Sequence, residues 1–187
     1  MRVFLAVFPP RSAQTLAARV TDALRRPGDG VSWVKPDNLH YTLRFIGEVG
    51  DDGARRVAEA ARAAARGLAP FEVVLGSAGA FPTARGARVL WIGLTEGAEP
   101  FRALAKRLEG ELEHRGWERE RQAFKPHLTI GRVRQPGRDW TSDLARSASL
   151  DAEPAARFTV GGIACVESTL SPQGSIYRVY ESAPLAP

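Results

Sequence analysis

The chain has 187 residues, 44% of them apolar and 25% charged, which is the balance of a globular protein and excludes a disordered one. No apolar run approaches the roughly 20 residues of a membrane-spanning helix, so no membrane partner is expected. The net charge of +5 and a sequence pI near 10 suit a polyanionic partner such as RNA. Arginine greatly outnumbers lysine, however, and a genome-wide compositional bias produces the same excess.

The opening MRVFLAVFPP reads as a first strand from Met1 to Phe8. Its apolar stretch is too short for a signal peptide, and Pro9-Pro10 close it without a small-residue cleavage pattern; a cytoplasmic protein is therefore expected. Ser12 is placed to cap a helix whose apolar positions Leu16, Val20 and Leu24 recur at helical spacing. Pro27, Gly28, Asp29 and Gly30 end it. An extended piece, a Pro-Asp-Asn turn and a strand from about Leu39 to Ile46 follow. Asp51 or Asp52 opens an alanine-rich helix to about Gly67.

Phe71 to Leu75 and Arg88 to Leu94 read as strands, rich in β-formers. A third helix over Glu99 to Arg115 aligns Phe101, Leu104, Leu108 and Leu112 on one face. After Lys125-Pro126 comes the strand HLTIGRV. From Gln135 to Arg157 the chain is polar and irregular, with room for a short helix and with Trp140 and Leu144 as anchors. The runs RFTVGGIACVESTL and SIYRVYES read as a strand pair, and the tail APLAP as loose. Cys165, the single cysteine, is expected to be a buried core residue. The irregular alternation of helices and strands indicates an α+β fold with antiparallel or mixed sheets. No Gly-rich phosphate fingerprint follows a strand; Gly76 and Gly79 lack the required spacing.

One pattern occurs twice: His40-Tyr41-Thr42-Leu43 and His127-Leu128-Thr129-Ile130, separated by close to half the chain. Each copy has a Lys-Pro upstream, Lys35-Pro36 and Lys125-Pro126. On a strand, successive side chains face opposite ways, so His40 and Thr42 share one face and Tyr41 and Leu43 the other. The second copy repeats this. The apolar pairs can bury while two imidazoles and two hydroxyls converge on a cleft.

Such a constellation suits one phosphate held between two histidines. One imidazole takes a proton from an attacking water and the other gives one to the leaving oxygen. The threonine hydroxyls can bond nonbridging oxygens, and an arginine can add a bidentate contact. Three histidines in all, with no HxxxH or CxxC spacing, speak against a dedicated metal site. His114, near the end of a helix, reads as structural.

The paired motifs resemble those of the 2H phosphoesterase superfamily. The longer strings WVKPDNLHYTLRFIG and FKPHLTIGRV resemble its RNA 2′,3′-cyclic phosphodiesterase branch, also called 2′-5′ RNA ligase. The likeness extends to MRVFLAVFPP and SPQGSIYRVYE, nearly the whole chain. It implies a single domain over residues 1–187 with two pseudo-symmetric lobes, each a small antiparallel sheet with outer helices, around a central cleft. It implies cofactor-free and metal-free hydrolysis of RNA 2′,3′-cyclic phosphate ends to 2′-phosphomonoesters. His40 is then the acid that protonates the 3′-oxygen and His127 the base that activates water. Thr42 and Thr129 hold the phosphate, and Arg132 matches a family arginine for an added contact.

Phe45 and Trp33 are candidates for stacking on a base or, equally, for the core. Lys125 and Arg134 are candidates for RNA-backbone contacts. The expected partner is RNA with a 2′,3′-cyclic phosphate terminus, tRNA fragments included, or a cyclic nucleotide, with the protein a monomer. ATP-independent 2′-5′ joining of a cyclic end to a 5′-hydroxyl is an alternative from the same chemistry. A noncatalytic RNA or nucleotide-binding module is an alternative from another class.

Overall fold

The computed structural model describes residues 1–172 and 174–187. Nine strands and four α-helices are found among them: β1 (Arg2–Val7), α1 (Arg11–Leu24), β2 (Val31–Trp33), β3 (Tyr41–Glu48), α2 (Asp51–Ala65), β4 (Phe71–Phe81), β5 (Val89–Glu96), α3 (Ala98–Glu113), β6 (Leu128–Val133), α4 (Thr141–Arg146), β7 (Arg157–Val160), β8 (Gly162–Ser171) and β9 (Gly174–Pro184). They form a four-stranded sheet in the order β3-β1-β8-β9 and a five-stranded sheet in the order β2-β6-β5-β4-β7. Neighbouring strands in both sheets run antiparallel. The fold is α+β, as the element order indicated; of the antiparallel and mixed sheets it left open, the sheets are antiparallel, and the two lobes are those the family resemblance implied.

The helices join the lobes. Helix α1 buries Ala13, Leu16, Ala17, Val20 and Leu24 and packs against β6 of the second sheet, while α3 packs on α2 and on β3 of the first. Helix α2 presents Ala54, Ala58, Ala61 and Ala65 inward, small side chains that permit close approach to α3, β8 and β9. Asp51 and Asp52 in its first turn face the positive end of the helix dipole. One continuous apolar core runs through both lobes, from Leu5 and Tyr41 to Leu90, Leu128 and Ile130.

Several boundaries differ from the sequence reading. Ser12 lies inside α1; the residue at the cap position is Pro10, and no side chain caps the end. Helices α2 and α3 end at Ala65 and Glu113. Strand β4 continues six residues past Leu75 to Phe81, through both glycines. Gly79 is required there because a Cβ would lie 2.3 Å from the ring of Trp91, which covers it from β5. The C-terminal region is three strands rather than a pair: β7 completes the second sheet and, after Gly161, β8 and β9 complete the first. The tail is docked, with Leu185 6% exposed and hydrogen bonds from Leu185 N–H to the Gly161 carbonyl at 2.9 Å and from Gly67 N–H to the Ala186 carbonyl at 2.7 Å. Between Gln135 and Arg157 there is one short helix, and Trp140 is fully buried.

Candidate active site

His40 immediately precedes β3 and His127 immediately precedes β6. Each ring is fixed in the same way. His40 Nδ1 lies 2.7 Å from the Asn38 carbonyl, and His127 Nδ1 lies 2.6 Å from the Lys125 carbonyl. A carbonyl only accepts, so each Nδ1 carries the proton and donates it, leaving Nε2 available for chemistry. The turn Pro36–Asn38 that supplies the first carbonyl is itself anchored by Asn38 Nδ2 donating to the Ser175 carbonyl of β9 at 2.9 Å.

Beyond each histidine the strand alternation does the sorting. Tyr41, Leu43, Leu128 and Ile130 are buried. Thr42 and Thr129 face the other way, and with His40, His127, Arg132 and Arg134 they line one cleft of about 650 Å³. The two tetrapeptides thus meet, one from each sheet. Arg132 and Arg134 are exposed and in no ion pair among the described residues; Arg134 Nε donates to Ser32 Oγ at 3.1 Å. Arg44, after the first motif, points away from the cleft and is taken up by Glu109 at 3.3 Å.

The rings are also braced by residues that the motif reading did not single out. His40 is surrounded by Phe4, Phe8 and Tyr177, with ring centroids at 4.9, 5.5 and 5.3 Å. His127 meets the edge of Phe81 at 5.1 Å, and Phe81 leans on Trp91 at 4.9 Å. These supports come from β1 and the residue that follows it, β9, β4 and β5, and no local spacing links them to the motifs. Their only sequence signal is an aromatic in a strand, which the core uses equally.

Burial pushes both imidazoles below their usual proton affinity. The nearby Arg132 charge acts in the same direction on both rings, and His127 does so on His40. The carbonyl bonds at Asn38 and Lys125 oppose this. Each ring therefore holds a proton less readily than a free imidazole, with burial the larger cause and Arg132 a smaller one.

Of the other predicted residues, Phe45 lines the cleft and is 50% exposed. Trp33 is not brought to it. Its indole donates to Asp29 Oδ2 at 3.0 Å and its ring packs edge-on against Trp140 at 6.1 Å. Lys125 also lies outside the lining; its contribution is the carbonyl that holds His127, and its ammonium sits 6.0 Å from the Phe81 ring. His114 closes the end of α3. Cys165 is fully buried, where burial and the Glu181 carboxylate push its thiol up to about 12.

The family model of the 2'-5' RNA ligase superfamily matches residues 8–171. The chain belongs to this superfamily. A superfamily relative from Methanothermobacter thermautotrophicus, named RNA 2',3'-cyclic phosphodiesterase, is 36% identical over 182 residues, covering 97% of each chain. A protein of the same name from Archaeoglobus fulgidus is 35% identical, covering 97% of this chain and 100% of its own. Among solved structures, the protein TT0787 of Thermus thermophilus superposes with a TM-score of 0.77 at 31% identity, covering 99% of this chain and 98% of its own. E. coli LigT complexed with 3'-AMP shares the fold, with a TM-score of 0.76 at 21% identity over 100% of this chain and 98% of its own.

Proposed function

We propose that the chain is an RNA 2′,3′-cyclic phosphodiesterase that opens cyclic phosphate ends to 2′-phosphomonoesters by acid–base catalysis between two histidines, without a metal. The single observation that carries this reading is the meeting of both His-x-Thr copies in one cleft, each with Nδ1 tied to a carbonyl and Nε2 left over. The names of the relatives point to the same substrate class.

The cyclic phosphate sits between the rings. His127 Nε2 takes a proton from water as the water oxygen bonds to phosphorus. The P–O3′ bond breaks, and His40 Nε2 gives its proton to the departing 3′-oxygen, leaving a 2′-phosphate and a 3′-hydroxyl. His127 is the more open of the two rings, which suits the one that must meet water. His40, packed among three aromatic rings, has its charged form disfavoured by burial, which suits a proton donor. Thr42 and Thr129 bond the nonbridging oxygens, and Arg132 balances their charge. Among the described residues no group of three or more His, Cys, Asp or Glu is gathered as a metal ion would require. RNA ends, tRNA fragments included, are the substrate class, and the protein acts as a cytoplasmic monomer.

The test is turnover of 2′,3′-cAMP in EDTA with identification of the product. Formation of 2′-AMP supports the reading. Formation of 3′-AMP reverses the roles of the two ester oxygens, loss of activity on chelation contradicts the metal-free mechanism, and binding without turnover leaves only a nucleotide-binding module. The same assay with cleaved RNA halves bearing a 5′-hydroxyl measures joining, which is the minor product in water.

A further inference from the structure

Arg44 lies two residues after Thr42 on β3, yet the two side chains leave the strand on opposite sides. Along β1, Ala6 pairs with Thr42 and the adjacent Leu5 with Arg44, so β3 carries an extra residue at Leu43. This bulge turns Arg44 away from the cleft and toward α3. There its Nη1 donates to both carboxylate oxygens of Glu109 at 3.3 Å and reaches Glu120 at 3.5 Å, while Nη2 donates to the Glu118 carbonyl at 2.6 Å.

Glu118 and Glu120 belong to the connection from α3 to β6. That connection, residues 114–127, contains no helix or strand and ends in His127 itself. Its middle is gathered on the Arg44 cluster. The Glu120 N–H donates to Glu109 at 3.0 Å, and the Glu120 carboxylate accepts from the Arg121 and Gln122 N–H groups at 2.9 and 3.4 Å. Phe124, next to Lys125, packs on Phe101 of α3 at 5.6 Å. The side chains of Arg44 and Glu109 are 12% and 18% exposed, unlike those of the surface pair Arg55 and Asp52 on α2. A pair so covered resists opening, since either charge alone is left without its partner.

Resting on the two-histidine reading, we infer that Arg44 is a positioning residue for His127. Its guanidinium ties the strand that carries Thr42 to the segment that delivers His127, with Glu109 and Glu120 as the other half of the tie. It thereby sets the gap across which the two copies of the motif share one phosphate. Arg44 touches no reacting atom and acts only through the connection it holds. Small displacements of a reacting group are felt strongly in rate.

The experiment measures kcat and KM for 2′,3′-cAMP, thermal stability and the NMR signals of the histidine rings in Arg44→Lys and Arg44→Gln. Arg138→Gln is the control, because Arg138 pairs with Asp143 at 2.6 Å outside the cleft lining. A lysine keeps the charge beside Glu109 but lacks the planar fork that serves two carboxylates and the Glu118 carbonyl at once. Arg44→Lys is expected to keep most of the stability and to lower kcat about tenfold with little change in KM, and Arg44→Gln to lower kcat about 10²-fold. In both, the His127 signal moves and the His40 signal stays. Arg138→Gln lowers thermal stability alone. Wild-type kcat in Arg44→Lys, or equal movement of both ring signals, overturns the positioning role and leaves the proposed reaction standing. A His127→Ala variant with wild-type turnover overturns the two-histidine reading and the positioning role with it.

Discussion

The two copies of the repeat are alike in backbone and unlike in surroundings. In each, a histidine precedes a strand, its Nδ1 is held by the carbonyl two residues back, and a threonine two residues on faces the cleft. Around His40 stand Phe4, Phe8 and Tyr177. Around His127 stands the edge of Phe81, while the Arg132 charge acts on both rings. The comparison teaches that a repeated motif supplies equivalent groups, whereas the roles are separated by what non-local strands bring against them. In the proposed mechanism the closed aromatic setting disfavours the charged form of His40, so that ring gives its proton readily to the leaving oxygen. The more open setting of His127 suits the ring proposed to meet water.

The comparison breaks most readily at the rings themselves. His40→Ala and His127→Ala should each lower turnover by about 10² to 10⁴, with smaller changes in KM. A variant of either with near-normal kcat removes that residue from the mechanism. Next in size are Thr42→Val and Thr129→Val, each expected to cost about tenfold or more in kcat/KM through a lost hydrogen bond to a charged oxygen. A loss at one threonine only would show that the copies are not equivalent toward phosphate.

The pH dependence sharpens the assignment. The proposed mechanism needs one imidazole charged and the other neutral in the free enzyme. Burial and Arg132 lower both affinities, so that state is centred below the usual imidazole value of about 6.5. The kcat/KM profile should be bell-shaped with its maximum on the acid side of 6.5. It falls at higher pH as the donor loses its proton and at lower pH as the base gains one. Tyr177→Leu and Phe81→Leu should each move the limb belonging to the ring they touch, with several-fold losses in kcat. The smallest kinetic effect is expected at Trp33→Leu. It removes the indole bond to Asp29 and the contact with Trp140, and so lowers thermal stability while KM stays unchanged. A raised KM would return Trp33 to the substrate.

Legibility in the sequence followed range. The motif strands, the alanine-rich α2 and the apolar face of α3 obey local periodicity and were visible. The later half of β4 was not, because Gly76 and Gly79 read as breakers until Trp91 is laid across the second of them. The three-strand ending was hidden by Gly161-Gly162, where the chain leaves one sheet for the other. The tail looked loose because its partners, Gly67 and Gly161, are remote in sequence. At the site, His40, Thr42, His127 and Thr129 were legible as a repeat. For Trp33 the sequence left base and core equally open, and its β-partner Gly131 leaves the space that the ring fills. Tyr177 and Phe81 carried no local mark at all.

The central claim, that both imidazoles serve one phosphate, is tested most directly by NMR titration of the histidine rings with 2′-AMP. Added 2′-AMP should perturb His40 and His127 together and raise the proton affinity of both, since its charge offsets Arg132, while His114 is unaffected. A response confined to one of the two rings, or none from either, would contradict the account.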